Sequence, residues 1–387
     1  MAKDIIKLGD VATYINGYAF KPEDRGEEGL QIIRIQDLTG NSYDLGFYNG
    51  KYPKKIEIND GDVLISWSAS LGVYVWNGGK ALLNQHIFKV KFDKVDIDKS
   101  YFVYAVRYKL NDMGEKTHGA TMKHIVKRDF DATEIPYPPL KKQIEIAINL
   151  DKISMVIKER KRELQLLDEL IKARFVEMFG DPIQNPKGWD MPLIEEVVAN
   201  EKNALKAGPF GSALKKEYYV ASGYKIYGQE QVISDDCTFG EYYIDEERYK
   251  SLENCAVQPG DVLISLVGTY GKLLIMPEVF EPGIINPRLM KITFDKEKVN
   301  PYYFKFFFQS ESLKKALSQN THGGTMDILN LGIVRKIEMP LPPLKLQNEF
   351  VDFVHQVDKS KFDTMTFAPI YAIINLYLHT YFYQGRR

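Results

Sequence analysis

The most regular hydrophobic pattern in the chain lies near its middle, in residues 141–180. Apolar side chains recur there at steps of three and four, with mostly polar or charged residues between them. The apolar positions are Ile146, Leu150, Ile153, Ile157, Leu164, Leu167, Ile171, Phe175 and Met178. This spacing predicts one long amphipathic helix that packs against a partner helix. Pro139 and the Gly180-Asp181-Pro182 sequence mark its two ends.

The chain also repeats itself. Three sequence blocks occur twice and in the same order, at offsets of 199 and 204 residues. They are GDVLIS at 61–66 and 260–265, THGATM at 117–122 with THGGTM at 321–326, and IPYPPLKKQ at 135–143 with MPLPPLKLQ at 339–347. Ordered matches at nearly constant spacing indicate a tandem duplication with a unit of roughly 200 residues.

The offset of 204 also predicts a second helix. It carries Ile146, Leu150 and Ile153 onto Phe350, Val354 and Val357, just after a second Pro-Pro pair. Two such helices packed antiparallel between two copies of one globular domain would make a pseudo-two-fold molecule. The predicted segments are a first globular domain (1–139), a central spacer helix (140–182), a second globular domain (183–343) and a C-terminal helix with an atypical uncharged tail (344–387).

Within each globular domain, short β-rich runs separated by turn residues precede a helical stretch. The predicted strands are 7–11, 31–35, 62–66, 72–75 and 87–92 in the first domain and 262–266, 272–276 and 290–294 in the second. The predicted helices are 101–110 and 302–317. This order predicts an α+β fold with a mixed or antiparallel sheet.

Composition narrows the class of protein. A hydrophobic share of 44% and a charged share of 27% fit globular domains, and the net charge of −1 lacks the excess of basic residues that many nucleic-acid binders carry. The N-terminus has no apolar signal segment. Cys237 and Cys255 stand without a second pair. We therefore expect free thiols in a cytoplasmic protein.

Catalytic motifs are missing from the sequence. The two Pro-Pro pairs have no preceding Asn or Asp, as an amino-methyltransferase would need, and read as helix-entry stops. Residues 267–272 only partly match a phosphate-binding loop, and the histidines show no zinc-ligand spacing. We expect no enzyme activity and no metal site in this chain.

Loops of the two globular domains carry side chains suited to DNA. Basic residues beside glycine, serine and threonine suit the phosphate backbone, whereas Asn, Gln and Arg pair with base edges. A solvated-loop interpretation stays open for each residue taken singly. The candidates are Asn84, Gln85, His86, Lys116, Thr117, Gly119, Thr121, Lys123, His124, Lys206, Gly211, Ser212, Lys215, Tyr227, Gln229, Arg288, Thr321, Gly323 and Thr325.

The repeated blocks, together with GPFGSALK at 208–215 and FVEMFGDPIQNPKGW at 175–189, resemble the specificity subunit of Type I restriction-modification systems. The resemblance implies two target-recognition domains that each read half of a bipartite DNA site from the major groove. It implies spacer helices that fix the gap and dock two modification subunits, which transfer a methyl group to adenine N6. S-adenosylmethionine, ATP and magnesium would then belong to the modification and the restriction or motor subunits, and this chain would catalyse nothing.

One region departs from the family. The helical pattern weakens after Val357, and residues 364–383 carry no charge and include Pro369. A tail packed on the first helix, an altered C-terminal sequence and, less favoured, a membrane span are all compatible with this composition. Two other hypotheses for the whole chain stay open at this point: a stand-alone methyltransferase or nuclease with degenerate motifs, and an inactive scaffold.

Overall fold

A computed structural model describes residues 5–116, 125–266, 272–319 and 329–365, with backbone only for 111–116, 319 and 362–365. Over these ranges the chain divides into two compact units, residues 5–162 and 163–365. The division falls inside the long central helix, so this helix contributes its first part to one unit and its second part to the other.

The first unit is built from three small sheets and a set of helices. Its elements are β1 (Ile5–Lys7), α1 (Leu8–Val11), β2 (Thr13–Asn16), β3 (Leu30–Ile33), α2 (Ile35–Thr39), β4 (Phe47–Tyr48), β5 (Glu57–Ile58), β6 (Val63–Ser66), β7 (Gly72–Val75), β8 (Ala81–Leu83), β9 (Ile87–Lys91), α3 (Lys99–Lys116), α4 (Lys127–Asp131), β10 (Glu134–Pro136) and the start of α5 (Leu140–Phe179). The strand orders are β2-β9-β6-β7, β4-β3-β8-β5 and β1-β10.

The second unit repeats this arrangement. Its elements are the end of α5, β11 (Leu205–Ala207), β12 (Tyr224–Tyr227), α6 (Gln229–Ser234), β13 (Tyr243–Ile244), α7 (Glu246–Ser251), β14 (Val262–Ser265), β15 (Leu273–Ile275), β16 (Gly283–Ile285), β17 (Leu289–Ile292), α8 (Pro301–Phe308), α9 (Glu311–Gln319), α10 (Leu331–Val334) and α11 (Leu344–Met365). The strand order β11-β17-β14-β15 matches β2-β9-β6-β7, and β13-β12-β16 matches β4-β3-β8, with no counterpart of β5 among the described strands.

The duplication extends to strand direction and register. β3 pairs with β8 in parallel, as β12 does with β16, and all the other strand pairs between described elements are antiparallel. Ser66 lies opposite Ile87 in the first unit, and Ser265 lies opposite Leu289 in the second. The predicted α+β fold with tandem, mixed sheets is therefore confirmed.

The predicted central helix is confirmed as α5, which has 40 residues. It begins directly after Pro138-Pro139, and Gly180 ends it with a positive φ of 80°. Its apolar stripe packs into both units. Ile146 and Leu150 lie in the core of the first unit, whereas Ile171 and Phe175 lie in the core of the second.

Within the second unit α5 packs antiparallel against α11. The Phe175 and Phe350 rings lie 5.4 Å apart, and the Asp168 carboxylate pairs with Lys361 at 2.8 Å. Residues later in α5 thus meet residues earlier in α11. Phe350, Val354 and Val357 are buried in this contact, as the offset between the repeats predicts. The remaining stripe positions are partly buried: Ile153, Ile157, Leu164, Leu167 and Met178.

Two predicted elements differ from the structure. Residues 7–11 are not a strand throughout, because Leu8 and Val11 turn inward from the short helix α1. The predicted helix 302–317 is two helices, because Ser310 interrupts it and its carbonyl oxygen accepts the N–H of Lys314, so that α9 starts anew. The atypical tail after residue 365, whose packing on the 146–178 stripe the sequence predicts, lies outside the described residues. Among the residues described here, no helix is long and apolar enough to cross a membrane.

Each repeated PPLK-x-Q block joins a domain to the helix that follows it. The Gln143 side chain is buried, accepts the N–H of Asp98 at 2.9 Å and donates to the Pro138 carbonyl at 2.8 Å. Gln347 is buried in the same way. It accepts the N–H of Asn300 and donates to the Pro342 carbonyl at 2.8 Å. The repeated glutamine therefore holds the helix start to its own domain.

Candidate nucleic-acid interface

Most of the predicted DNA-contacting residues that the structure describes gather around one turn in each unit. In the first unit this is the turn between β8 and β9, residues 84–86; in the second it is the turn between β16 and β17, residues 286–288. We call these the first and second reading turns. Each leaves a buried strand of one sheet and enters a buried strand of the next, so its backbone is held from both sides.

The same backbone contacts hold the two turns. The N–H of Asn84 donates to the Ile33 carbonyl at 3.1 Å, and that of Asn286 donates to the Tyr227 carbonyl at 2.8 Å. Each Asn side chain then accepts a hydrogen bond within its own turn, from the N–H of Gln85 at 2.7 Å and of Arg288 at 2.9 Å. The amide oxygen of Asn84, predicted to read bases, is thus used in shaping the turn.

A glycine packs under each reading turn. A Cβ atom on Gly17 would lie 1.9 Å from the Asn84 carbonyl oxygen, and a Cβ on Gly208 would lie 1.9 Å from the Asn286 carbonyl oxygen. Both glycines donate their N–H across the turn, to Ile87 and to Leu289 respectively. Sequence reasoning missed both glycines as positioning residues. Because the two glycines occupy equivalent places in the two repeats, a comparison of the repeats would have identified them.

In the second unit the side chains form a connected set. Arg288 is exposed and donates from its guanidinium to Gln229 Oε1 at 3.3 Å. Gln229 Nε2 in turn donates to the hydroxyl of buried Ser265 at 2.9 Å. Among the described residues, Arg288 forms no ion pair with a carboxylate. Neutral groups therefore orient the guanidinium, and its positive charge remains available to an anion or to a strong hydrogen-bond acceptor.

In the first unit the equivalent side chains differ. His86 takes the place of Arg288, has a positive φ of 73° and packs edge-on against Trp67 at 5.0 Å. Its Nδ1 atom is buried and has no hydrogen-bond partner in the described part of the chain. Gln85 is half-buried beside it. The first reading turn therefore offers a different set of donors and acceptors from the second.

The predicted phosphate-binding loop of the second unit adjoins its reading turn. Gly211 and Ser212 are exposed, and within the described part of the chain Lys215 pairs only with exposed Glu217, at 3.4 Å. Lys206 is half-buried on strand β11. Weak surface pairs of this kind leave the lysine free to exchange its partner for a phosphate.

One predicted contact residue is placed out of reach of DNA. Tyr227 is fully buried, and its hydroxyl donates to the Glu281 carbonyl. Burial raises the pKa of this hydroxyl well above its usual range. Tyr227 therefore supports the sheet behind the second reading turn. The predicted contact residues Thr117, Gly119, Thr121, Lys123, His124, Thr321, Gly323 and Thr325, and the side chain of Lys116, lie outside the described residues.

The family description "Type I restriction modification DNA specificity domain" matches the chain twice, over residues 3–167 and 186–370. The chain belongs to the Type I restriction-modification specificity family. Its two matches coincide with the two repeats found in the sequence. A specificity subunit is the non-catalytic part of such a system that directs it to particular DNA sequences.

The chain aligns with most of the length of two specificity subunits. It is 22% identical to the Type I restriction enzyme MjaVIII specificity subunit of Methanocaldococcus jannaschii, over 92% of this chain and 86% of the relative. It is 24% identical to the EcoBI specificity subunit of Escherichia coli, over 91% of this chain and 78% of the relative.

Solved structures share the fold. A chain from a structural study of complex assembly and conformational transition in a type I restriction-modification system superposes with a TM-score of 0.60 at 16% identity, covering 98% of this specificity chain and 97% of that one. The specificity subunit of a Type I system from M. genitalium superposes with a TM-score of 0.53 at 14% identity, covering 98% and 95%.

Proposed function

We propose that this specificity chain reads a bipartite DNA site, with one half-site contacted by each reading turn. The observation that carries the proposal is the pair of turns. Both are held by the same backbone contacts and the same underlying glycine, yet they present Asn84-Gln85-His86 in one unit and Asn286-Pro287-Arg288 in the other. Two domains that recognise different base sequences need the same backbone support but different exposed side chains.

For the second half-site we infer a guanine contact by Arg288. Arginine donates two hydrogen bonds to the O6 and N7 atoms of guanine in the major groove. Gln229 and Ser265 support this geometry, because they hold the guanidinium from one side only. Gly211, Ser212, Lys206 and Lys215 would contact phosphates and set the register of the domain on the duplex.

For the first half-site we infer contacts by Gln85 and His86. An amide side chain pairs with adenine through N6 and N7, and a histidine ring nitrogen can donate or accept depending on its tautomer. The Nδ1 atom of His86 is buried, so a contact with a base would be made by the other ring nitrogen, Nε2.

A domain exchange tests the bipartite reading. Residues 1–139 are replaced by the first domain of another family member, the hybrid is co-expressed with its modification subunits, and methylated sites are mapped by sequencing the DNA. We expect one half of the site to change and the other half to stay the same. A change in both halves, or in neither, would contradict the proposal.

We also propose that α5 sets the gap between the half-sites. A four-residue insertion after Arg162, using helix-forming residues, lengthens the helix by about 6 Å. Because successive base pairs are about 3.4 Å apart, we expect the gap in the methylated site to widen by about one to two base pairs. An unchanged gap would exclude a spacer role for the helix.

Two modification subunits carrying S-adenosylmethionine are the proposed partners, together with ATP- and magnesium-dependent restriction subunits. The buried stripe positions of α5 are already covered within this chain. We therefore assign docking to exposed apolar side chains of the same helix. These are Leu140, Ile144, Ile148 and Met155 in the first unit and Leu166, Leu170 and Val176 in the second.

The docking proposal is tested by co-purification. Ile144→Glu with Ile148→Glu places two charges on exposed apolar positions. We expect it to abolish capture of one modification subunit without changing the fold. Lys161→Glu, an exposed position on another side of the helix, is the matched control and should keep full capture. Equal loss in both variants would point to a general charge effect.

A further inference from the structure

The loop between α2 and β4 lies at the same edge of its sheet as the first reading turn. We call residues 40–45 the edge loop. Strands β3 and β8 are parallel, so the chain leaves both of them at one edge, toward α2 and toward the reading turn respectively. β4 pairs antiparallel with β3, and the N–H of Ile32 donates to the Gly46 carbonyl at 2.8 Å. The edge loop therefore enters β4 from that same edge.

The strand order fixes the separation of the two loops. β4 and β8 lie on either side of β3. Neighbouring strands are about 4.8 Å apart, so the edge loop lies roughly 10 Å from the first reading turn. Successive base pairs are about 3.4 Å apart along the duplex, so this separation corresponds to about three base pairs. A contact at this distance can belong to the same half-site.

The start of the edge loop is held by backbone contacts. Gly40 ends α2 in the left-handed region, with a φ of 74°, which glycine adopts without strain. The N–H of Asn41 donates to the Gln36 carbonyl at 3.0 Å. The loop thus leaves the helix along a fixed path.

The end of the edge loop is held by Arg34, a buried residue that directly follows β3. Its guanidinium donates to the Ser42 hydroxyl at 3.2 Å and to the Asp44 carbonyl. The residue before Arg34 is Ile33, whose carbonyl accepts the N–H of Asn84 in the reading turn. Neighbouring residues of β3 and its C-terminal end therefore hold the reading turn and the edge loop.

The residues between these anchors are exposed. Tyr43 is 99% exposed, and Asn41 is exposed as well. In the described part of the chain, the side chain of Asn41 makes one long hydrogen bond, from Nδ2 to the Thr39 hydroxyl at 3.4 Å. Ser42 and Asp44 hold the loop, whereas the Asn41 amide and the Tyr43 hydroxyl are available to a partner.

The charge of the edge loop is compatible with DNA. Asp44 pairs with Arg25 at 2.6 Å and with Arg34 at 3.4 Å. These arginines offset the repulsion between the carboxylate and the phosphates. The corresponding loop of the second unit, residues 235–242, contains Asp235, Asp236 and Glu241. The inference is therefore limited to the first domain.

The edge loop also lies outside the sequence blocks on which the family resemblance rests. A side chain common to family members with different target sequences cannot distinguish those targets. Groups that select one sequence are therefore expected outside the shared blocks, as Asn41 and Tyr43 are.

We propose that the edge loop is a second specificity-determining contact of the first domain. Asn41 donates to N7 or accepts from N6 of an adenine in the first half-site, as amide side chains do in the major groove, about three base pairs from the pair read by Gln85 and His86. The Tyr43 hydroxyl donates to a neighbouring phosphate. The inference rests on the proposed reading function of the first domain.

The test uses the full chain assembled with its modification subunits. The half-site is first defined by mapping methylated DNA, and competition binding is then measured with duplexes altered at one base pair at a time. Asn41→Ala should lose about tenfold in preference at one A·T pair and keep its preference elsewhere. Gln85→Ala should lose preference at a different pair, about three positions away.

Asn49→Ala is the matched control. Asn49 is also exposed and follows β4, so it lies at the opposite edge of the same sheet. It should bind every duplex as the unaltered chain does. Tyr43→Phe removes only the hydroxyl and should weaken binding to all duplexes about equally, by about threefold to tenfold. Circular dichroism should show all these variants folded, because the three substituted surface residues are exposed.

The outcomes separate this inference from the proposed function. Unchanged preferences in Asn41→Ala, together with a lost preference in Gln85→Ala, overturn the edge loop as a reader and leave the reading turn in place. An equal loss on all duplexes in Asn41→Ala also overturns it, because the residue would then contact the backbone. Reduced capture of a modification subunit by Asn41→Ala or Tyr43→Phe overturns it in favour of a protein contact. An unaltered complex without base preference in the first half-site overturns both.

Discussion

The two reading turns occupy the same place in the two units, between β8 and β9 and between β16 and β17, but they hold their side chains differently. In the second unit a chain of side-chain hydrogen bonds runs from Arg288 through Gln229 to Ser265. In the first unit Ile35 stands where Gln229 does, and Ser66 donates to the Ser70 carbonyl instead. The backbone frame is common, and the exposed groups differ. The side chains of a reading turn can therefore differ while the backbone contacts that hold the turn stay the same.

The sharpest contrast in stability concerns a lysine–aspartate pair that both units contain. Lys291 and Asp261 are buried and 3.2 Å apart, and Thr293 also donates to Asp261. Lys89 and Asp62 form the equivalent pair at 2.7 Å, with 19% and 25% of their side chains exposed. Burial raises the pKa of Asp261, an effect that Lys291 only partly opposes.

Asp261→Asn should therefore have the largest effect. It leaves a buried lysine without its counter-charge, at a cost of about 3–5 kcal/mol to the second unit. Asp62→Asn should cost the first unit less, because 19% of the Lys89 side chain and 25% of the Asp62 side chain remain exposed to water. Hydrogen exchange of the β14 and β17 amides, compared with those of β6 and β9, measures each unit separately. Adding Lys291→Met to Asp261→Asn should recover most of the loss, and equal losses in the two units would contradict the contrast.

Substitutions of the positioning glycines test the backbone contacts that the two units share. Gly208→Ala places a Cβ against the backbone of Asn286, so the turn must move, at a cost of about 1–3 kcal/mol to its unit. Gly17→Ala should do the same in the first unit. Gly26→Ala is the control, since the added Cβ would meet only the Phe47 carbonyl oxygen, at an ordinary contact distance of 3.8 Å. Thermal unfolding and methylation of the mapped site are the measurements. Tolerance of one glycine substitution but not the other would break the equivalence of the two frames.

Arg288→Ala tests a side chain that differs between the two reading turns, because His86 takes its place in the first unit. We expect it to lower discrimination at one base pair of the second half-site by about 1–3 kcal/mol. Arg288→Lys should recover little of this, because lysine cannot form the paired contact. Competition binding with duplexes altered at single positions measures the loss. Lys215→Ala, a proposed phosphate contact, should instead weaken all sequences about equally. A loss confined to the first half-site would reverse the assignment of the domains.

The smallest effect concerns a pair found in the second unit alone. Lys225 is buried and pairs with half-exposed Glu281 at 2.7 Å, whereas Gln31 takes the place of Lys225 in the first unit. The bond from Lys225 lowers the pKa of Glu281 below its usual value of 4.5. The stability that this carboxylate contributes is therefore present above pH 4.5 and is lost as the pH falls through its folded-state pKa.

Glu281→Gln should destabilise the second unit by about 1 kcal/mol near neutral pH, since the pair is partly solvated. The difference from the unaltered chain should shrink as the pH falls below about 4.5. Hydrogen exchange across pH 3–7 checks this. A difference that stays constant with pH would mean that Glu281 acts through packing rather than through its charge.

The repeats let the sequence predict much of the fold. Periodic apolar residues between helix stops define α5, and the offset of 204 residues carries its pattern onto Phe350, Val354 and Val357. The sequence pattern predicted the wrong secondary structure where tertiary contacts determine it. At Leu8 and Val11, burial favours a helical turn over a strand.

The candidate interface was predictable only in part. Asn84–His86 and Arg288 occupy equivalent turns of the two units, because in each unit strand pairing brings two sheets together at that turn. Tyr227 was indistinguishable from a surface aromatic residue until the sheet placed it inside. Gly17 and Gly208 allow the backbone of a reading turn to pack closely against them. No property of a single residue in the sequence reveals such a contact.

The buried glutamines that join each domain to its helix have a consequence for how such proteins diversify. Among the residues that the structure describes, Gln143 and Gln347 bond only to main-chain atoms of their domains: Asp98, Pro138, Lys298, Asn300 and Pro342. These hydrogen bonds make no demand on the side chains of the domain attached to the helix. Recombination within the repeated blocks therefore keeps the anchor of the helix when a whole domain is replaced, and the new domain has to match only the apolar side chains, such as Ile146 and Leu150, that the helix places in its core.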